Sequence, residues 1–200
     1  MKIRNLTFSI VLFILLPLTT AIAADDALWQ ALREGGNVLL MRHAPTEKTS
    51  DPLLFEPDNC IQERDLSVEG KALVLDIGHA LRKNRIPIGT VYSSRYCRAI
   101  NTAWMTYDKV ELWAPLDLLH GLSEAEATAH TEMVAERIAN YKGKKNMVMV
   151  THRPNINQLT LELPPYAGIV VLKPTGDGDF EIIGTLTPKD VLGKPARQTK

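Results

Sequence analysis

Arg42 and His43 stand side by side at the end of the apolar run Val38-Leu39-Leu40-Met41. A neutral imidazole is a covalent nucleophile toward phosphorus, and a guanidinium matches phosphate oxygens in bidentate fashion while keeping its charge at every working pH. Alone, the pair also describes a strand end meeting solvent. Two further apolar runs end in similar chemistry: Ser93-Ser94 leads to Arg98, and Met147-Val148-Met149-Val150-Thr151 leads to His152. Two arginines and two histidines converging at strand ends would make a phosphate pocket. A thiol-based phosphatase fits the spacing poorly, because Cys60 has Arg64 four residues on and Cys97 has Arg98 immediately after it. No cluster of metal-ligating residue types occurs, so neither a metal nor an organic cofactor is expected.

The elements that must position these residues follow from hydrophobic period. Residues 25–34 carry Ala27, Leu28, Ala31 and Leu32 on one helical face, stopped by Gly35-Gly36. Val38 to Met41 reads as a buried strand. Residues 44–66 are rich in Pro and charge and lack a period, an excursion long enough to suggest a functional rim. Ser67 caps a helix to about Asn84, residues 88–92 form a second strand, and a helix from Arg95 to about Tyr107 places Arg95 and Arg98 on one face. A short third strand spans 110–113, Ser123 opens a helix to about Tyr141, and 146–151 is the most strand-like run in the chain. Pro154 suits the first turn of another helix, and 168–186 reads as two strands joined at Thr175-Gly176-Asp177-Gly178-Asp179. Strands alternating with helices predict a three-layer α/β/α sandwich with a mostly parallel sheet, whose ligands settle at the carboxyl ends of the strands.

The first 23 residues read as an export signal: Lys2 and Arg4, an apolar stretch from Leu6 to Leu18, then Ala21-Ile22-Ala23. The stretch is broken by Pro17 and is shorter than the ~20 residues that span a bilayer, so a periplasmic or secreted protein with no stable membrane insertion after signal removal is expected, with an uncleaved N-terminal anchor as the alternative. Residues 24–200 then fit one domain. Without Lys2 and Arg4 the 23 Lys and Arg residues become 21, against 23 Asp and Glu. That balance gives no general attraction to nucleic acid, so positive potential must be local to a pocket. In an oxidising compartment Cys60 and Cys97 form either one disulfide or two buried thiols.

These segments resemble the histidine phosphatase superfamily, the group that includes phosphoglycerate mutases and histidine acid phosphatases. Its Arg-His-Gly motif is matched by Arg42-His43-Ala44, with Ala in place of Gly. Its Ser-Ser strand end with a following Arg and Thr-Ala is matched by Ser93-Ser94, Arg98 and Thr102-Ala103. Its late His is matched by His152, and Arg64-Asp65-Leu66-Ser67-Val68-Glu69-Gly70 is similar to the segment that opens the second helix. The resemblance runs in order from Val38 to the last strand. It implies a phosphoglycerate mutase-like fold and a metal-independent phosphomonoesterase in which His43 becomes phosphohistidine, Arg42, Arg98 and His152 hold the peripheral oxygens, and water releases inorganic phosphate. The partner implied is a small-molecule phosphomonoester. A compact exported branch, which includes a phosphatase acting on lipopolysaccharide core heptose phosphate, is similar in leader, length and single late His, which suggests a sugar phosphate of the cell envelope.

The resemblance implies that the leaving-group proton comes from an acidic residue either beside the late His or after the third strand; the residue after His152 is Arg153, which leaves the second region. Glu124 is the first choice, with Asp117, His120 and Glu126 behind it. Arg64 is a candidate substrate-binding residue, set against the simpler reading of a solvated loop arginine. Trp29, Trp104 and Trp113 read as packing residues. A binding protein that keeps the phosphate pocket but has lost turnover is the alternative from another functional class.

Overall fold

The computed structural model describes residues 19–49, 60 and 63–193. The apolar stretch of the leader and most of the 44–66 excursion therefore lie outside the described residues. Helix α1 (Thr19–Glu34) starts six residues earlier than its apolar face predicts, because Ala21, Ala23 and Ala24 are strong helix formers and continue it backward. No helix among the described residues is long and apolar enough to cross a membrane. Gly35 and Gly36, at φ 82° and 79°, end α1 in the left-handed region.

Strand β1 (Val38–Arg42), helix α2 (Val68–Lys83), strand β2 (Ile88–Ser93) and helix α3 (Cys97–Tyr107) follow, then the two-residue strand β3 (Glu111–Leu112). A single 3-10 turn (Ala114–Leu116) leads to helix α4 (Glu124–Ala139), strand β4 (Asn146–Thr151) and helix α5 (Arg153–Thr160). The chain closes with strands β5 (Ile169–Pro174) and β6 (Phe180–Leu186) and the short helix α6 (Pro188–Gly193). Ser67 caps α2 by accepting from the Gly70 N–H, and Ser123 and Glu126 form a reciprocal capping box on α4.

The six strands make one sheet in the order β3-β2-β4-β1-β5-β6. The first four in that order are parallel, and β5 and β6 extend the sheet antiparallel through their hairpin. Alternation along β1 and β4 divides the core between two faces. Leu39, Met41, Val148 and Val150 pack under α1, α2, α3 and α6 with Trp29, Leu32, Ile77 and Ala103. Val38, Leu40, Met147 and Met149 pack under α4 and α5 with Val134, Ile138 and Ile156. Burial on both faces is why these strands read as unbroken apolar runs. Trp29 is fully buried as expected, whereas Trp104 is 56% exposed because it lies on the outer face of α3.

Helix α3 begins at Cys97 rather than Arg95. Arg95 is held back by Asp117, and Tyr96 is the extended N-cap. Arg95 and Arg98 therefore do not share a helical face. At Gly70 in the first turn of α2, a Cβ would lie 2.1 Å from the carbonyl oxygen of Pro45, and this close approach seats α2 on the segment that follows His43. Cys60 and Cys97 form a disulfide with Cα atoms 5.5 Å apart.

Candidate active site

Strand register brings the chemistry together. Arg42 pairs with Thr151 and Ser93 pairs with Val150, so the parallel strands β1, β4 and β2 end at nearly one level. The residues that follow them are locked to that edge: the His43 N–H donates to the Thr151 carbonyl at 3.0 Å, and the Ser94 N–H to the Val150 carbonyl at 3.0 Å. The His43 and His152 rings meet edge to face with centroids 5.3 Å apart.

His43 is 6% exposed. Its Nδ1 lies 2.9 Å from the Ala44 carbonyl oxygen, which can only accept, so Nδ1 carries the proton and Nε2 keeps its lone pair. Burial pushes the His43 pKa down to about 3, the Ala44 hydrogen bond opposing and the charges of Arg98, Arg42 and Arg64 adding to the fall. Ala44 is itself fully buried, and its N–H donates to Thr102 Oγ1 at 3.0 Å, so the position usually filled by Gly in the resembling family accepts a methyl group here.

Burial also holds His152 well below the ordinary histidine range, followed by the influence of His43 and of Arg98, Arg64 and Arg42. Its Nε2 lies 2.9 Å from Ser94 Oγ, while its Nδ1 is buried without a hydrogen-bond partner among the described residues.

Each arginine is held separately. Arg42 donates to the Pro164 carbonyl at 3.2 Å and lies 3.7 Å from the Tyr166 ring centroid. Arg98, 1% exposed, lies 4.5 Å from the Tyr96 ring centroid. Arg64 is half-buried, and its charge adds to the lowering of both histidines.

The two carboxylates considered as proton donors differ. Asp117, 6% exposed, accepts from Ser94 Oγ and the Arg95 N–H through Oδ1, and pairs with the Arg95 guanidinium through Oδ2 at 2.6 Å. Glu124 is exposed and lines a separate cavity of about 470 Å³ with Leu119, His120, Pro154 and Gln158, making no hydrogen bond or ion pair among the described residues. Tyr96 and Tyr166 escaped the sequence reading. Tyr166 sits in an aperiodic connection, and only its place just ahead of an apolar strand could have drawn attention to it. Among the described residues no three His, Cys, Asp or Glu side chains gather into a metal-binding group.

No protein-family model matches the chain, and no curated protein sequence is significantly similar to it. Solved structures are. The protein histidine phosphatase SixA complexed with tungstate superposes with a TM-score of 0.56 at 16% identity, covering 78% of this chain and 99% of its own. Phosphoserine phosphatase from Entamoeba histolytica in complex with 3-phosphoglyceric acid gives 0.56 at 16% identity, with 78% and 99% covered. A mycobacterial glucosyl-3-phosphoglycerate phosphatase gives 0.52 at 16% identity, with 74% and 97% covered. These neighbours are members of the histidine phosphatase superfamily, and this chain has their fold, a six-stranded central sheet flanked by helices with its strand-end histidines and arginines gathered on one edge.

Proposed function

We propose that this chain is a phosphomonoesterase that works through a phosphohistidine on His43 and needs no metal. The observation that carries the reading is a buried imidazole whose Nδ1–H is fixed on the Ala44 carbonyl, leaving a lone pair on Nε2 within reach of Arg42, Arg64 and Arg98 charge.

A depressed pKa keeps His43 neutral through the neutral and mildly acidic range, so it attacks without first losing a proton. In-line attack by Nε2 forms the N–P bond as the ester P–O bond breaks. The guanidinium groups of Arg42, Arg98 and Arg64, with His152, stabilise charge on the three peripheral oxygens, which is most of what such a transition state asks of a protein. Glu124 is the proposed donor of the proton that the departing alkoxide needs. Water then attacks phosphorus, the N–P bond breaks, and inorganic phosphate leaves with His43 neutral again.

The substrate we propose is a sugar phosphate of the cell envelope, met after export to the periplasm or exterior. The leader, the length of the chain and the likeness to an exported branch with one late His support this, as does a disulfide suited to an oxidising compartment.

The test is turnover of p-nitrophenyl phosphate by the mature protein and by His43→Ala, with a chelator present, alongside acid–base stability of the protein-bound phosphate trapped in a rapid quench. Activity unaffected by the chelator, a loss on the order of 10³-fold or more in the variant, and an alkali-stable, acid-labile phosphoprotein are expected. Wild-type protein that binds inorganic phosphate but turns over no monoester would replace this reading with that of a binding protein.

A further inference from the structure

Arg64 is the one pocket arginine that no strand or helix carries. Arg42 ends β1 and Arg98 lies in the first turn of α3, whereas Arg64 sits in the stretch before Ser67. The residues on either side of it are both fastened to α3. Glu63, 8% exposed, accepts the Cys97 N–H through Oε2 at 2.8 Å. Asp65 accepts from Asn101 Nδ2 at 2.7 Å, one turn further along the same helix. Asp65 is held elsewhere as well, its carbonyl accepting from the Glu47 N–H at 3.0 Å and its carboxylate pairing with Lys71 at 3.4 Å. On the other side of Arg64 the fastening is covalent: Cys60 is bonded to Cys97, the residue just before Arg98.

We infer that the Cys60–Cys97 bridge is a positioning device for substrate binding, holding the 63–65 segment against α3 so that Arg64 meets the same phosphoryl group as Arg98. The inference rests on the phosphatase reading above and extends it to a residue pair outside the reacting atoms. The contacts of Asp65 hold the chain after Arg64; before it the Glu63 hydrogen bond, of the same order as the cost of ordering one residue, is joined by the bridge. A covalent link three residues before Glu63 removes much of that cost in advance. The charge of Arg64 acts on both His43 and His152, which is the arrangement such a device would maintain. Cys97 is fully buried and Cys60 is exposed, so the bridge ties a surface residue to the core.

A double-mutant cycle separates positioning from general stabilisation. Arg64→Ala is made in the natural chain and in Cys60→Ser/Cys97→Ser, and inhibition by inorganic phosphate is measured together with kcat and KM for p-nitrophenyl phosphate. In the natural chain Arg64→Ala is expected to weaken phosphate inhibition about tenfold, the scale of one hydrogen bond to a charged group. The bridge-less protein is expected to show a similar weakening, carried mainly in KM, and within it Arg64→Ala should add less than about twofold.

A full tenfold effect of Arg64→Ala in the bridge-less protein would overturn the inference and leave the bridge as a stability element only. So would phosphate inhibition that is indifferent to the bridge or to Arg64. If the double serine variant does not fold, the same cycle is run on the natural chain before and after dithiothreitol, whose access Cys60 permits, at a temperature where circular dichroism shows both forms native. Each of these failures leaves turnover and phosphohistidine formation at His43 intact, whereas failure of the phosphatase reading removes both.

Discussion

Ser94 Oγ stands 2.9 Å from His152 Nε2 and 3.2 Å from Asp117 Oδ1. A carboxylate only accepts, so the single hydroxyl proton goes to Asp117 and the Ser94 oxygen receives the proton of His152 Nε2. Neutral His152 is thereby fixed in one tautomer, with its lone pair on the buried and unpartnered Nδ1.

A phosphoryl oxygen can bond to that Nδ1 only if a proton comes with it. At mildly alkaline pH, where free inorganic phosphate is nearly all dianion, its binding should therefore take up about one proton at the site, either on His152 or as the monoanion of the ligand. Isothermal titration in buffers of different ionisation enthalpy measures this directly. His152→Asn should reduce the uptake, and an uptake of zero in the wild type would refute the tautomer.

Asp117 and Glu124 should behave differently when neutralised. Asp117→Asn disturbs Ser94 and unpairs Arg95, so it is expected to cost about 2 kcal/mol or more of stability and to depress activity on alkyl and aryl phosphates alike. Glu124→Gln should leave stability nearly unchanged and slow alkyl phosphates far more than p-nitrophenyl phosphate, whose leaving group departs without much protonation. Equal losses on both ester classes in Glu124→Gln would remove it as the acid.

Acid should loosen the fold through His43. With its pKa lowered to about 3 in the folded chain and near 6.5 in the unfolded one, the unfolded state binds the extra proton first. The stability that neutral His43 allows is complete above about pH 6.5 and is lost as the pH falls toward 3, on the order of 5 kcal/mol if the whole range is crossed. Urea midpoints taken from pH 7 down to pH 4.5 should fall more steeply for the natural chain than for His43→Asn. Parallel slopes would show that His43 is not the group responsible.

Gly70→Ala tests the seat of α2. The added methyl would meet the backbone of Pro45 at 2.1 Å, and a backbone oxygen cannot swing aside. A loss of about 1–3 kcal/mol is expected, the usual range for overpacking, with a rise in KM because the same segment continues from His43. Thermal unfolding and steady-state kinetics on one preparation check both parts.

Much of this arrangement is legible in the linear chain because its causes are local. Apolar periods, Ser67 and Ser123 as caps, Gly35-Gly36 as a stop and the Thr175 to Asp179 turn act over a few residues each, and they place Arg42 at a strand end and His43, Ser94 and His152 just past strand ends. That the runs at Val38 and Met147 are strands buried on two faces also follows from their unbroken apolar character.

What only the folded chain decided depends on contacts between distant segments. Nothing within a strand specifies that Arg42 pairs with Thr151, yet that register puts the two histidines at one level. Asp117 draws Arg95 out of α3, although the spacing of Arg95 and Arg98 suits one helical face. Tyr166 under Arg42 and the choice of a bridge over two free thiols likewise need chain segments 124 and 37 residues apart to meet. The sequence by itself determined the elements and the reactive residue types at their ends, because helix and strand periods are read within a dozen residues. The tertiary structure decided which guanidinium, carboxylate and imidazole face one another, because parallel pairing and side-chain hydrogen bonds form only after the layers have packed.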